Sequence, residues 1–368
     1  MKALVVSSVA SMIDQFCMGN IATLQQLGYE VDVACNFNNP GTITKEKCEL
    51  LKNKLAGLGV NYYQVDFSRS VFKITKHFKS LNQMKNLLKN NQYQIIHCHS
   101  PIGGMITRLA VKKHRKKEGL KVIYTAHGFH FYKGAPKKNW LIFYPIEKTC
   151  SRWTDILITI NKEDYAFAKR KMKAKQIEYL PGVGIDIDKF QNASVDVNEK
   201  RKEIGIPEGA KLIFSVGELN KNKNHQVVIK ALSKISSPNY YYAIAGVGQK
   251  HDYLYSLAKE LNVNLVLLGF RTDVSELYKT ADLFVLPSIR EGLNVSLIEA
   301  MASGCRVIAS DIRGNRDMLS PEKLFDPLDV DKIVSLITHP DNNEELFYKL
   351  ADVKVINKRM SELYAMNN

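Results

Sequence analysis

The sequence has no apolar stretch long enough to cross a membrane. Its hydrophobic runs, such as Leu283–Leu286, fall far short of the ~20 consecutive apolar residues that a membrane-spanning helix needs. The N-terminal stretch Met1–Phe16 superficially resembles a signal peptide. However, Asp14 interrupts its apolar part, and a first strand followed by an amphipathic helix fits it better. We therefore expect a cytoplasmic protein without a transmembrane segment.

Metal-binding patterns are also missing from the chain. The six cysteines have no paired spacing, which predicts reduced thiols and no zinc centre; they are Cys17, Cys35, Cys48, Cys98, Cys150 and Cys305. No Asp-x-Asp pattern follows a hydrophobic strand. The nearest example, Asp186–Asp188, lies in a Gly- and Asp-rich connection that favours a turn. We expect neither a metal nor a cofactor.

Excess positive charge is confined to the first half of the chain. Residues 1–185 contain 29 Lys and Arg against 12 Asp and Glu, a net charge of +17, whereas residues 186–368 carry −2. The excess is concentrated in Lys112–Lys117, Lys133–Lys138 and Lys169–Lys175. This asymmetry predicts an anionic partner for one half, and no zinc finger or RNP-type motif points to nucleic acid. The favoured partner is an anionic membrane, with the protein peripheral on its inner face; a lysine-rich solvated surface is the alternative.

Strands and helices alternate along the chain, which predicts an α/β protein with parallel sheets. The predicted strands are Ala3–Val6, Val31–Cys35, Tyr62–Val65, Ile95–Cys98, Val122–Thr125, Ile156–Ile160, Ile177–Tyr179, Leu212–Val216, Tyr241–Ala245, Leu265–Leu268, Leu283–Leu286 and Arg306–Ala309. Helices are predicted at Val71–Asn90, Asn139–Arg152 and Asn342–Tyr364. A break at Pro181–Phe190 divides the chain into two Rossmann-like domains, 1–185 and 186–350, followed by a terminal segment, 351–368. Ligands of such sheets lie beyond the carboxyl ends of the strands.

The most informative stretch runs from Ala281 to Asp317. It predicts one βαβ unit with its helix at Asn294–Ser303. Glu291 lies in the loop before this helix and Glu299 lies about a turn and a half into it. A solvated loop charge and a helix-surface charge are the simpler interpretation, but the helix has little polar surface, which argues against it for Glu299.

The start of the same helix is a candidate anion site. The backbone N–H groups of Gly292, Leu293 and Asn294 lie at a helix N-terminus, where the helix dipole favours negative charge. A carboxylate can accept two ribose hydroxyls at once, and Glu299 would lie several ångströms behind a phosphate at the helix start. A loop acid, an amide cradle and a second acid could thus hold a sugar, a phosphate and a ribose in that order.

The segment EGLNVSLIEAMASG, Glu291–Gly304, resembles the E-x7-E segment of retaining glycosyltransferases of family 4, which have the two-domain GT-B fold. The blocks LGF–R (Leu268–Arg271), ADLFVLPS and ASDIRGN are similar to the family's in order and spacing, over roughly Leu212–Asp317. Within the family, the chain resembles the bacterial capsule and exopolysaccharide enzymes. The resemblance implies a nucleotide-sugar donor in the second domain, transfer with retention, and a C-terminal helix that crosses back to the N-terminal domain.

A second candidate element follows the strand that ends near Gly217. Lys223 lies just before a predicted helix, where its ammonium could hold a diphosphate and stabilise the charge that develops on the leaving group. Without the resemblance, the loop would be interpreted as solvated. The resemblance also implies an Arg near the strand end, but Glu218 occupies that position. Arg271 could compensate for it or contact the base.

The third candidate element is YTAHGFHFYKGAP, after a strand of the first domain. His127 lies where that strand delivers its loop, and the resemblance makes it the histidine near the donor sugar and the attacking hydroxyl. His99 holds a similar position one strand earlier, and a buried structural role is the alternative for both. The first loop lacks the glycines that many family members have, so Ser11 and Gln15 are expected to face the acceptor.

These observations predict a retaining glycosyltransferase that moves a sugar from a UDP-sugar to a lipid-linked or polysaccharide acceptor. Catalysis is assigned to His127, Lys223 and Glu291. Because both acids hold the donor, attack on the same face as the leaving group is favoured over a covalent glycosyl intermediate. Two alternatives remain open at this stage: a sugar-nucleotide epimerase, and a non-catalytic sugar-nucleotide-binding subunit of a synthase.

Overall fold

A computed structural model describes residues 1–113, 119–339 and 346–366. The chain forms two compact units. Unit 1 comprises Met1–Gly184 together with the C-terminal segment from Lys354, and unit 2 comprises Ile185–Val353. In the described ranges, no helix is long and apolar enough to cross a membrane.

Unit 1 is built on a seven-stranded parallel sheet in the order β3-β2-β1-β4-β5-β6-β7. Its strands are β1 (Lys2–Val6), β2 (Glu30–Cys35), β3 (Asn61–Gln64), β4 (Ile95–His99), β5 (Lys121–Ala126), β6 (Ile156–Thr159) and β7 (Gln176–Tyr179). Its helices before the connection are α1 (Ala10–Met12), α2 (Met18–Gln26), α3 (Lys45–Gly57), α4 (Ile74–Asn90), α5 (Pro101–Val111), α6 (Lys137–Cys150) and α7 (Lys162–Lys171). A π-helical turn, Ile13–Cys17, separates α1 from α2. Helices cover both faces of the sheet, so its central strands β1, β4 and β5 are buried along almost their whole length rather than at alternating positions.

Unit 2 contains a six-stranded parallel sheet in the order β10-β9-β8-β11-β12-β13. Its strands are β8 (Lys211–Val216), β9 (Tyr240–Ala245), β10 (Asn264–Gly269), β11 (Leu283–Leu286), β12 (Val307–Ser310) and β13 (Leu324–Phe325). Its helices are α8 (Ile187–Gln191), α9 (Val197–Glu203), α10 (Gln226–Leu232), α11 (His251–Glu260), α12 (Val274–Thr280), α13 (Val295–Ala302), α14 (Arg313–Arg316) and α15 (Val330–Thr338).

The last helix, α16 (Val353–Ala365), belongs to unit 1 except for its first residue. Its apolar face packs in the same core as α2 and α3 through Ile356, Met360, Leu363 and Tyr364. The return of the terminal helix to the first domain, which the resemblance implies, is therefore confirmed.

The predicted strands are all present to within one residue at each end. The predicted helix Asn342–Tyr364 is confirmed in its C-terminal part, but its predicted start is wrong. Residues 342–345 lie outside the described ranges, a 3₁₀ turn spans Phe347–Ala351, and the helix begins only at Val353. The helix is interrupted because the backbone on either side of Asp352 bonds to Ile185: the Ile185 N–H donates to Ala351 O, and the Val353 N–H donates to Ile185 O.

Smaller differences concern helix ends and short elements. The helix predicted from Val71 begins at Ile74, and the one predicted at Asn139–Arg152 spans Lys137–Cys150 with a 3₁₀ turn after it. The turn expected at Asp186–Asp188 is the start of α8, where the Asp186 carboxylate accepts the Lys189 N–H at 3.2 Å. The two-residue strand β13 was missed because so short a segment has no periodicity.

Candidate active site

The loop between β11 and α13 brings the anion-site residues of unit 2 together. Helix α13 starts at Val295, one residue later than expected, because Asn294 is its N-cap: the Asn294 side chain accepts the Ser296 N–H at 2.9 Å. Gly314 of α14 lies directly against the carbonyl of Gly292. A Cβ at position 314 would lie 2.3 Å from that oxygen, so only glycine fits there. Leu293 packs against the apolar core beneath the loop. The amide cradle is thus fixed by close backbone packing.

Lys223 and Glu291 form an ion pair with 2.7 Å between Nζ and Oε1. The Lys223 stem passes over Gly217, where a Cβ would lie 3.2 Å from its Cδ and Cε atoms. The two loops also bond directly, because the Asn222 side chain donates to Arg290 O at 2.9 Å and the Asn222 backbone carbonyl accepts the Ile289 N–H at 2.8 Å. Two elements predicted separately therefore form one cluster.

Glu299 lies partly buried in α13 and accepts a hydrogen bond from the Tyr278 hydroxyl at 3.0 Å. Burial raises the pKa of Glu299 from its ordinary 4.5 to about 7, and the Tyr278 hydrogen bond and the Lys189 charge oppose that rise. Interpreting Glu299 as a solvated helix-surface charge is thus wrong. A carboxyl group held at a cost in free energy, and close to its titration point, is typical of a ligand site.

In the structure, Arg271 forms ion pairs with two carboxylates. Its guanidinium donates to Asp273 at 2.5 and 2.8 Å and to Glu203 at 2.6 Å. The Glu218 side chain, at the position of the implied Arg, is exposed. The predicted contact of Arg271 with the donor stays a prediction. For that contact, the donor would have to compete with the Asp273 and Glu203 carboxylates for the guanidinium.

Sequence reasoning missed Arg313, which lies next to the Glu291 loop. Arg313 is buried, with its Nε donating to the carbonyl of Glu291 at 3.2 Å. One basic residue thus contacts the Glu291 side chain and another contacts its backbone. The available signal was topological: Arg313 follows β12, and the loops after parallel neighbours such as β11 and β12 meet at the same sheet edge.

His99 and His127 lie at the carboxyl ends of β4 and β5 in unit 1, and His97 lies two residues earlier in β4. His99 Nδ1 lies 3.1 Å from His127 Nε2, so the two predicted histidines do meet. Burial lowers the pKa of His127 from its ordinary 6.5 to about 4, and lowers those of His97 to about 3 and of His99 well below 6.5. All three are therefore neutral at pH 7.

The hydrogen bonds of His99 determine which ring nitrogen of His127 carries the proton. His99 is fully buried, and its Nε2 has no hydrogen-bond partner among the described residues. Because a buried N–H without a partner is rare, we infer that the proton of His99 is on Nδ1 and is donated to His127 Nε2. His127, which is partly exposed, then carries its own proton on Nδ1. It can donate a hydrogen bond to a substrate hydroxyl but is a poor base.

His97 is held by hydrogen bonds at both of its ring nitrogens. Its Nδ1 lies 2.7 Å from the Tyr364 hydroxyl of α16, and its Nε2 lies 2.8 Å from the Thr125 hydroxyl. A cavity of about 20 Å³, large enough for one water, lies beside the three imidazoles. Its walls also include Phe16, whose ring centroid is 5.8 Å from that of His127.

The two predicted acceptor residues of the first loop differ in exposure. Gln15 is exposed within the π-helical turn, a rare conformation that is frequent at functional sites. Ser11 is buried, and its backbone N–H donates to Pro40 O at 2.8 Å. In the described ranges no three His, Cys, Asp or Glu side chains are grouped so that they could hold a metal ion. Metal independence stays a prediction.

Two family models match the chain. The model described as glycosyl transferases group 1 matches residues 196–352, and the one described as glycosyl transferase 4-like matches residues 6–161. A putative glycosyltransferase of Bacillus subtilis, EpsD, is 36% identical over 301 residues, which cover 80% of this chain and 74% of EpsD. The chain belongs to the group 1 glycosyltransferases.

Other similar proteins agree with this assignment. The UDP-Gal:alpha-D-GlcNAc-diphosphoundecaprenol alpha-1,3-galactosyltransferase of Escherichia coli is 29% identical to this glycosyltransferase over 286 residues, 74% of this chain and 73% of that protein. Among solved structures, Anabaena HepE in complex with UDP-glucose is 16% identical with a TM-score of 0.78, and covers 99% of both chains. This likeness confirms the GT-B fold. The family does not favour the epimerase alternative.

Proposed function

We propose that this glycosyltransferase transfers a sugar from a UDP-sugar, with retention, to a lipid-linked acceptor in the synthesis of a cell-surface polysaccharide. The observation that carries the proposal is the cluster at the start of α13. Lys223 and Glu291 form a pair there, the amides of the Gly292 loop lie between the two acids in sequence, and Glu299 follows in the helix.

The cluster suits a nucleoside diphosphate sugar. The Lys223 ammonium and the loop amides would hold the diphosphate, Glu299 would accept the two ribose hydroxyls, and Glu291 would accept hydroxyls of the sugar. The pairing with Glu291 keeps the Lys223 ammonium in place beside the loop. A positive charge held where negative charge develops contributes ~3–4 kcal/mol to transition-state stabilisation.

The reaction we propose takes place on one face of the sugar. The bond between C1 and the β-phosphate oxygen breaks as the acceptor oxygen bonds to C1 from the same side. The acceptor proton passes to the departing phosphate oxygen, so no side chain needs to act as the base. A neutral His127 that donates through Nδ1 would orient a substrate hydroxyl that reaches the carboxyl edge of the unit 1 sheet.

Similar proteins support the choice of donor and acceptor. The E. coli relative uses UDP-Gal and a diphosphoundecaprenol acceptor according to its name, and HepE is seen with UDP-glucose. The basic charge of the first half suits a substrate embedded in an anionic membrane.

The test begins with a thermal-shift screen of nucleotide sugars. A donor at 100 times its dissociation constant adds ~2.7 kcal/mol to the stability of the domain that binds it. The donor that stabilises the protein is then supplied with undecaprenyl-diphosphate sugars, and NMR of the product reports the anomeric configuration. An inverted product would refute retention, and turnover that requires a divalent ion would refute the metal-free step. Binding without turnover on any such acceptor would favour the non-catalytic subunit.

A further inference from the structure

The first two turns of α4 extend beyond the sheet on which the rest of the helix packs. The Ser80 hydroxyl donates to Asp66 O at 2.8 Å, and Asp66 lies two residues after the end of β3. Met84, Leu87 and Leu88 are buried in the core below this level. Since a helix rises ~1.5 Å per residue, Ile74 lies about 9 Å beyond Ser80, past the carboxyl edge of the sheet.

This projecting segment exposes three large apolar side chains. Phe72, Ile74 and Phe78 have 76%, 63% and 65% of their surface exposed, and Ile74 and Phe78 lie four residues apart on one helix face. Single exposed apolar residues are ordinary, but a cluster of this kind marks an interaction site.

The charged residues within 69–79 are all positive. Arg69, Lys73, Lys76 and Lys79 are exposed, and of these four only Lys79 has a carboxylate partner among the described residues, Asp66 at 2.7 Å. Helix α4 also begins without an acidic residue in its first turn and without a side-chain cap. Because the N-terminal end of a helix dipole is positive, cations there are unfavourable unless an external anion compensates. The segment therefore suits an anionic, partly apolar surface.

The projecting segment lies at the same edge of the sheet as the histidines. In a parallel α/β sheet every helix that follows a strand starts at the carboxyl edge, the edge where His99 and His127 lie. Helix α6 starts at the same edge with exposed Lys137 and Lys138, and its Leu141 is 77% exposed.

The described part of the basic run singled out from the sequence, Lys112–Lys117, lies elsewhere. Residues 114–117 are outside the described ranges, and Lys112 and Lys113 follow the end of α5, at the opposite edge of the sheet.

We propose that residues 69–79, the α4 docking surface, bind the interface of an anionic bilayer. Phe72, Ile74 and Phe78 enter the boundary between headgroups and acyl chains, and the exposed lysines contact lipid phosphates. This orientation turns the carboxyl edge of the sheet towards the membrane, where a lipid-linked acceptor would be held. The assignment of a lipid-linked acceptor rests on the proposed function, whereas the docking of the surface on the membrane does not.

The first experiment measures binding of the full chain to vesicles with and without phosphatidylglycerol. Phe72→Ser/Ile74→Ser/Phe78→Ser should weaken binding to anionic vesicles at least ~10-fold. Lys73→Gln/Lys76→Gln should weaken it about 30-fold, at ~1 kcal/mol per cation. The matched controls are Leu50→Ser, a 67% exposed residue of α3, and Lys112→Gln/Lys113→Gln. Controls that release the protein while the α4 variants stay bound would overturn the proposal.

A second readout identifies the contact directly. In Phe72→Trp, tryptophan emission should shift to the blue on adding anionic vesicles and should be quenched by brominated lipids; Leu50→Trp should show neither effect. An emission shift that depends on protein concentration without vesicles would instead show that the surface pairs with a second copy of the chain. Sedimentation with vesicles but no shift at residue 72 would mean that another surface docks. Either result rejects the proposal.

The enzymatic readout separates this inference from the proposed function. The α4 variants should bind UDP normally and should transfer sugar normally to a short-chain, water-soluble acceptor, while losing activity on the same acceptor embedded in anionic vesicles. If no variant and no wild-type preparation transfers sugar, the proposed function fails, but the vesicle-binding result stands by itself.

Discussion

Replacing Glu299 with glutamine should make the protein more stable and should weaken its binding of UDP. Burial raises the pKa of the Glu299 carboxyl from 4.5 to about 7, so the native state disfavours its ionised form. A raised acid pKa contributes stability that is complete below 4.5 and is lost as the pH rises through 7. At 1.36 kcal/mol per pKa unit, the loss is about 3 kcal/mol at pH 8 and under ~1 kcal/mol at pH 5. Glutamine has no charge to desolvate and can still accept the Tyr278 hydroxyl.

The assay is chemical and thermal unfolding of wild type and Glu299→Gln across this pH range. At pH 8 the variant should be more stable by about 3 kcal/mol, and the melting transition of unit 2 should rise by roughly 6–12 °C. The gain should nearly vanish at pH 5. At pH 8, where the wild-type carboxyl is ionised, calorimetry with UDP should show binding weakened ~10–100-fold, since a charge-assisted hydrogen bond contributes about 1.5–3 kcal/mol.

Glu291→Gln is the matched control for this prediction, because it removes one partner of an ion pair with Lys223 rather than an isolated, partly buried charge. It should show no stability gain at pH 8 and should leave binding of free UDP nearly intact, while lowering turnover. An equal gain for Glu299→Gln at both pH values, or none at pH 8, would show that the buried carboxyl carries no such cost. Equal loss of UDP binding in both variants would refute the division of roles between the two acids.

Three further predictions concern the remaining candidate residues. Lys223→Ala should lower the transfer rate by about two orders of magnitude in steady-state kinetics, because its charge is most needed as the diphosphate departs; an unchanged rate would exclude it from the clamp. His99→Gln should lower kcat more than KM and change the ¹⁵N shifts of the His127 ring, since its proton donation sets the tautomer of His127; unchanged ring shifts would refute this coupling. Gly314→Ala should weaken UDP binding and lower the melting temperature, because the new methyl would lie 2.3 Å from the Gly292 carbonyl; a variant that behaves like wild type in both assays would show that the loop moves freely.

The fold was largely predictable because its signals are local. Each buried strand is a short apolar run bounded by polar or helical segments, so its limits are visible without knowledge of its neighbours. The segment around Glu291 and Glu299 was informative for the same reason, since an acid, a helix start and a second acid lie within one short stretch. Helix ends were less accurate: α16, for example, begins at Val353 because the backbone beside it bonds to Ile185, which is distant in the chain.

The sequence by itself determined the strand order along the chain, the position of the candidate anion site and the division of charge between the halves. Only the tertiary structure decided which polar groups meet. Lys223 and Glu291 are 68 residues apart, burial by other segments raises the pKa of the Glu299 carboxyl, and His99 bonds to His127 across two neighbouring strands. Likewise, only packing shows that the start of α4 projects past the sheet with Phe72 and Phe78 uncovered. Apolar periodicity is a property of consecutive residues, whereas hydrogen bonds, desolvation and exposure depend on segments that are distant in the chain.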